Sequence, residues 1–210
     1  MLKKYPFLSG TLLLTLTGII SRIIGFFYRI FLSQHIGEEG MGIYQLIAPV
    51  MALSFSLTCA GIQTSISKYT AAYHAKNQPK SALKILLTGF ILSFTLSVSA
   101  TCFLYRNASW IASDLLMEAR CAPLVRIYAL SLPFACIHSC INGYYYGLKK
   151  SLLPSVSQLL EQVTRVGSVY AIYTYGAMMK TAPSIAVTML GILIGEICST
   201  ILSMTVLYFH

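Results

Sequence analysis

The chain has 210 residues, of which 56% are hydrophobic and only 10% charged, with a formal net charge of +9 and a mean hydropathy of +0.71. Soluble domains carry about 25% charged residues, so this composition excludes a globular domain and specifies an integral membrane protein. The basic excess is not gathered on a soluble module that would dock a duplex. It points to cytoplasmic loops and anionic lipid headgroups rather than to nucleic acid.

Six apolar segments are long enough for a hydrocarbon core that needs ~20 residues per crossing. They place transmembrane helices near 7–32, 42–67, 82–105, 121–147, 154–178 and 183–208, as a single all-α, polytopic membrane domain with short connections. MLKKYPFLSG has a basic start before an apolar run. That run continues past Arg22 and Arg29 without a small-residue cleavage site, so it reads as an uncleaved first helix. Lys3, Lys4, Lys68, Lys76, Lys80, Lys84, Lys149 and Lys150 fall at one set of connections, and only Arg106, Arg120 and Lys180 at the other. The positive-inside rule then puts both termini in the cytoplasm. Asn107-Ala-Ser109 matches a glycosylation sequon by chance.

Pro49, Gly61, Pro123, Pro133, Gly167, Gly191 and Gly195 interrupt the helices, and Gly191-x3-Gly195 reads as a close-packing motif. Gly143-Tyr144-Tyr145-Tyr146-Gly147 before Lys149 and Lys150 reads first as an interfacial aromatic belt with a basic stop. Cysteines 59, 102, 121, 136, 140 and 198 lie mostly in apolar segments, where Cys packs as a small hydrophobe. Cys136 and Cys140 are one helical turn apart while His138 points elsewhere, so neither a metal site nor a disulfide is expected. No cofactor is called for, and with no catalytic set the chain is not read as an enzyme.

Six charged residues fall within the expected spans: Arg22, Arg29, Arg126, Glu161, Arg165 and Glu196. Each costs roughly 2.5–3.5 kcal/mol at mid-bilayer. Gln158, Glu161, Gln162 and Arg165 follow i, i+3, i+4 and i+7 spacing and share one helical face. Arg22 and Arg29 are two turns apart on another helix, and Glu161 and Arg165 stand in the favourable acid-before-base order. A set of mutually paired charges needs no arginine excess. A cavity for an anion does, because guanidinium forks match phosphate oxygens. The plainer alternative is that these residues only tie helices together. Glu196 is a candidate for coupling to an ion gradient, or a partner for Arg22 or Arg165.

SRIIGFFYR (21–29), AGIQTSISKY (60–69, after the second helix), INGYYYGLKK (141–150) and PSVSQLLEQVTRV (154–166) follow one another in an order that resembles the stage V sporulation protein B group. That group comprises polysaccharide exporters of the MATE-like flippase superfamily, related to MurJ-type lipid II flippases. The resemblance implies two pseudo-symmetric lobes of about fourteen helices in all, of which this chain corresponds to the N-terminal one, in a bacterial plasma membrane. It implies a lipid-linked, pyrophosphate-bearing oligosaccharide or lipid II-like cargo for cell-wall or spore-cortex synthesis, and a C-terminal lobe as partner. Arg22 then matches a cavity arginine of the family, whereas Tyr28 takes the place of the second and leaves Arg29 one step displaced. The expected substrate-binding residues are Arg22, Arg29, Gln158, Glu161, Gln162 and Arg165. Two competing readings are a cation-coupled multidrug exporter of the same superfamily and a non-transporting scaffold for envelope assembly.

Overall fold

The computed structural model describes residues 6–178 and 184–209. Lys3, Lys4, Lys180 and His210 lie outside the described residues, as does the expected start of the last helix at 183. All regular elements among the described residues are helical. Helix α1 (Pro6–Leu46) breaks at Gly37, whose φ of 69° is a left-handed conformation that glycine adopts without a Cβ clash. Helix α2 (Ala48–Phe55) runs through a π-type turn, Ser56–Ala60, directly into α3 (Gly61–Ala75). Then come α4 (Pro79–Arg106) and the single turn α5 (Ala108–Trp110), with further short turns at Ile111–Leu115 and Ala119–Cys121. The chain continues as α6 (Ala122–Gly147), α7 (Leu152–Met178) and α8 (Ala186–Tyr208).

The helix expected over 42–67 therefore extends to Ala75, and AGIQTSISKY lies inside it rather than after it. The apolar run ends near 67, but backbone hydrogen bonding carries the polar continuation until Asn77 turns the chain at φ 53° and Pro79 opens α4. Asn107 has a local use: its side-chain amide donates to the Phe103 carbonyl at 2.8 Å, which closes α4.

Four stretches among the described residues are long and apolar enough to cross a membrane: Gly10–Ala75, Pro79–Arg106, Ala119–Gly147 and Ala186–Tyr208. The first has 66 residues. At 1.5 Å per residue it is ~99 Å long, enough for two passes of a ~30 Å core, and it is broken at Gly37. Helix α7 has the length, 27 residues, but its polar face removes it from a purely apolar criterion.

Helix α6 is the hub. Helices α3, α4 and α8 pack on it, α7 packs on α8, and α1 rests mainly on α7. Within lipid there is little hydrophobic drive between helices, so close approach at small residues and interhelical hydrogen bonds hold the bundle. A Cβ at Gly143 would stand 2.7 Å from the Gln63 carbonyl oxygen, and one at Gly147 2.7 Å from that of Ser67. The GYYYG stretch is thus a backbone crossing of α6 on α3 as well as an aromatic segment. Pro133 has no N–H for the Ala129 carbonyl, and Thr101 of α4 donates its hydroxyl there at 2.9 Å. Ser93 donates to the Thr58 carbonyl at 2.6 Å and accepts from Cys136 at 3.1 Å, which ties α4, the π-type turn and α6. Cys136 and Cys140 pack beside Cys59, Ile66 and Leu86, all as free thiols.

Two outcomes follow for stability. Thr101→Val orphans the Ala129 carbonyl and should lower stability by ~0.6–2 kcal/mol, seen as a reduced Tm in detergent, while Thr101→Ser holds near wild type. Gly147→Leu forces α3 and α6 apart and should cost at least ~1–3 kcal/mol, seen as loss of the monodisperse folded peak in size-exclusion chromatography.

Candidate functional site: a polar cleft between α1 and α7

Two clefts meet along the inner face of α7. One, of about 620 Å³, is lined by Arg22, Arg29, Gln158, Gln162 and Arg165 together with Ser21, Tyr28 and Tyr44. The other, of about 640 Å³, is lined by Arg29, Tyr44, Gln45, Tyr128, Arg165 and Glu196 among others. Arg29, Tyr44 and Arg165 border both, so the two are contiguous, the first mainly polar and the second mixed with apolar residues such as Met41, Met51, Phe55 and Ile192.

Local sequence explains how α7 presents this face. The i, i+4, i+7 spacing of Gln158, Gln162 and Arg165 aligns them over two turns. Gly191 and Gly195 let α8 press against the back of α7: a Cβ at Gly195 would lie 3.0 Å from the Glu161 carbonyl oxygen and 3.3 Å from Arg165 Cβ. Arg165 is held along its own helix, donating to Gln162 Oε1 and lying 3.8 Å from Glu161 Oε1. The guanidinium is thereby aimed across the groove toward α1.

On α1, Tyr28 and Leu32 are buried against Val169 and Tyr173 of α7. This packing sets the rotation of α1 and leaves Arg22 and Arg29 exposed along the groove. Although Arg29 sits one residue beyond Tyr28, it still reaches the same cleft as Arg22. Arg126 does not join them; it hydrogen-bonds Ser109 at 3.1 Å on the exposed outer part of α6.

Glu161 lines neither cleft. It stands on the flank of α7 that faces α6 and α8, close to His138 and Glu196. Glu196, for which Arg22 and Arg165 were equally open as partners, has His138 Nδ1 at 3.3 Å. Sequence reasoning missed this grouping because His138 has no carboxylate within a turn of it on α6. Its partners come from two other helices. Ser21 and Tyr28 were also missed, although their seven-residue spacing parallels that of Arg22 and Arg29. Ser21 Oγ, Tyr28 Oη and Arg165 Nε are buried without a hydrogen-bond partner at the same cleft. The arrangement offers three guanidinium groups, two amides and three hydroxyls to one space, a donor-rich surface suited to an anionic, hydroxylated ligand.

A family model described as polysaccharide biosynthesis protein matches residues 7–210. The chain is 33% identical over 198 residues to stage V sporulation protein B of Bacillus subtilis (strain 168), covering 93% of this chain and 38% of that protein. It is 28% identical over 167 residues to lipid II flippase MurJ of the same organism, covering 76% of this chain and 31% of that one. It thus spans less than half the length of these curated relatives. Its backbone also resembles a crystallised MATE protein, with a TM-score of 0.81 at 15% identity over 92% of this chain and 43% of the other, which shows a shared fold. With its long apolar helices, this chain belongs to the polysaccharide biosynthesis protein family and shares the fold of MATE proteins.

Proposed function

We propose that the chain forms one six-helix lobe of a two-lobe flippase that moves a lipid-linked, pyrophosphate-bearing saccharide from the cytoplasmic to the outer leaflet by alternating access. The observation that carries this reading is the convergence of Arg22, Arg29 and Arg165 on one groove with Gln158 and Gln162 beside them. A guanidinium inside a membrane domain is costly unless it meets a counter-charge. Of the three arginines, only Arg165 has a carboxylate within ion-pair distance among the described residues. The excess positive charge suits a pyrophosphate, and the amides suit sugar hydroxyls. The relatives described as a lipid II flippase and a stage V sporulation protein support the cargo class and a role in cell-wall or spore-cortex synthesis.

In this reading the groove is half of the transport cavity. Helix α1 rests mainly on α7, and Arg22 and Arg29 are exposed along its length, so a second lobe would close the cavity against them. Rocking of the two lobes would expose the bound headgroup alternately to the two sides. Glu196 borders the groove and remains the candidate for coupling to an ion gradient. A cation-coupled drug exporter is the second reading, favoured by the clustering of Glu161 and Glu196. It predicts that the acids govern transport and the arginines do not.

Arg22→Ala and Arg165→Ala, each introduced into the full-length protein, should cut export of the lipid-linked precursor at least ~10-fold, the scale of one lost charge-assisted contact. Accumulation of the precursor in the inner leaflet, with unchanged protein level, measures this. Normal export in both variants would remove the anion-cavity reading. Loss of drug resistance in Glu196→Gln alone, with the arginine variants unaffected, would favour the exporter.

A further inference from the structure

His138, Glu161 and Glu196 belong to three different helices, α6, α7 and α8. Their ligand atoms nevertheless lie within 4.8 Å of one another. His138 Nδ1 and Glu196 Oε2, 3.3 Å apart, are both shut off from solvent and both without a hydrogen-bond partner. Buried polar atoms are normally satisfied by protein, water or an ion. Here two of them point at each other beside a further carboxylate.

The donor set narrows what would satisfy them. With neutral imidazole the three groups carry a formal charge of −2. Besides His138 itself, the basic side chain within ion-pair distance of these carboxylates among the described residues is Arg165, 3.8 Å from Glu161. The neighbouring thiols take no part: Cys136 is hydrogen-bonded to Ser93 and packs with Cys140 against Cys59 on the other side of α6. One nitrogen and two carboxylate donors suit a borderline transition-metal ion, whereas magnesium and calcium favour all-oxygen sets. Ligands about 2.0–2.1 Å from zinc stand about 3.4 Å apart in a tetrahedron, which is already the His138–Glu196 separation. The Glu161 carboxylate lies within 4.8 Å of both. Glu196 also borders the 640 Å³ cleft, which gives an entry path and a place for a water as fourth ligand.

We propose that His138, Glu161 and Glu196 form a binding site for a divalent transition-metal ion of the zinc class, stapling α6, α7 and α8 beside the arginine groove. The ion also acts on that groove. Glu161 is shared between the site and Arg165, so an ion that takes both carboxylates leaves the Arg165 guanidinium uncompensated and available to an anion. Metal loading and anion binding are then positively linked through one side chain. The site itself stands independently of which cargo the groove carries.

The test uses the whole chain purified in detergent, stripped with EDTA and titrated with Co²⁺. Cobalt gives a visible d–d absorption when held tetrahedrally, and is then displaced by Zn²⁺. The expected result is one Co²⁺ per chain. His138→Gln, Glu161→Gln and Glu196→Gln should each weaken binding by at least ~10–100-fold with unchanged far-UV circular dichroism. The double variant Cys136→Ser, Cys140→Ser should bind as wild type does. Equal Co²⁺ affinity in wild type and His138→Gln, a thiolate charge-transfer band lost in the double serine variant, or release of no more than a proton with no metal retained would each overturn the proposal. No cargo is present in this experiment, so its failure leaves the anion-groove reading standing.

Discussion

A membrane helix that carries Gln158, Glu161, Gln162 and Arg165 must turn those side chains away from lipid. The arrangement around α7 follows from that requirement. At roughly 2.5–3.5 kcal/mol per ionised group, a lipid-facing orientation would cost more than any single interhelical contact returns. Helix α7 meets the constraint by dividing its polar residues between two flanks. Gln158, Gln162 and Arg165 face a groove against α1, and Glu161 faces the seam with α6 and α8. Arg165 spans the two, since it contacts both Gln162 and Glu161.

This division depends on how closely α8 approaches. Gly191 and Gly195 let the backbones of α7 and α8 come together; a Cβ at Gly191 would collide with the Val169 side chain. That closeness carries Glu196 to the depth of Glu161 and His138. The same device operates at Gly143 and Gly147 between α6 and α3. Hydroxyls complete the bundle where proline or a helix irregularity frees a carbonyl, as Thr101 does for Ala129 and Ser93 for Thr58. Small residues and hydroxyls thus hold the bundle together.

Helix α1 is held differently from the others. It rests mainly on α7, through Tyr28 and Leu32 packed on Val169 and Tyr173, and carries two exposed arginines along the groove. It is also broken by the left-handed glycine at Gly37.

By itself the sequence determined the class of the protein. Apolar length and low charge set an all-helical membrane bundle, and the heptad-like spacing in 154–166 marked α7 as a helix with a polar side, which the structure then divides between the α1 groove and the seam with α6 and α8. Both are local properties, readable from periodicity and solvation cost alone. Helix ends were less legible. The polar continuation of α3 to Ala75 and the break at Gly37 rest on backbone hydrogen bonding and a left-handed glycine, which hydropathy does not register. Only the tertiary structure decided which polar residues meet. It brought Arg22 and Arg29 into one groove with Arg165, despite the extra residue at Tyr28. It also placed His138 against Glu196 and Glu161 across three helices. Contacts between helices depend on their rotation and closeness, and glycines and buried tyrosines far along the chain set both.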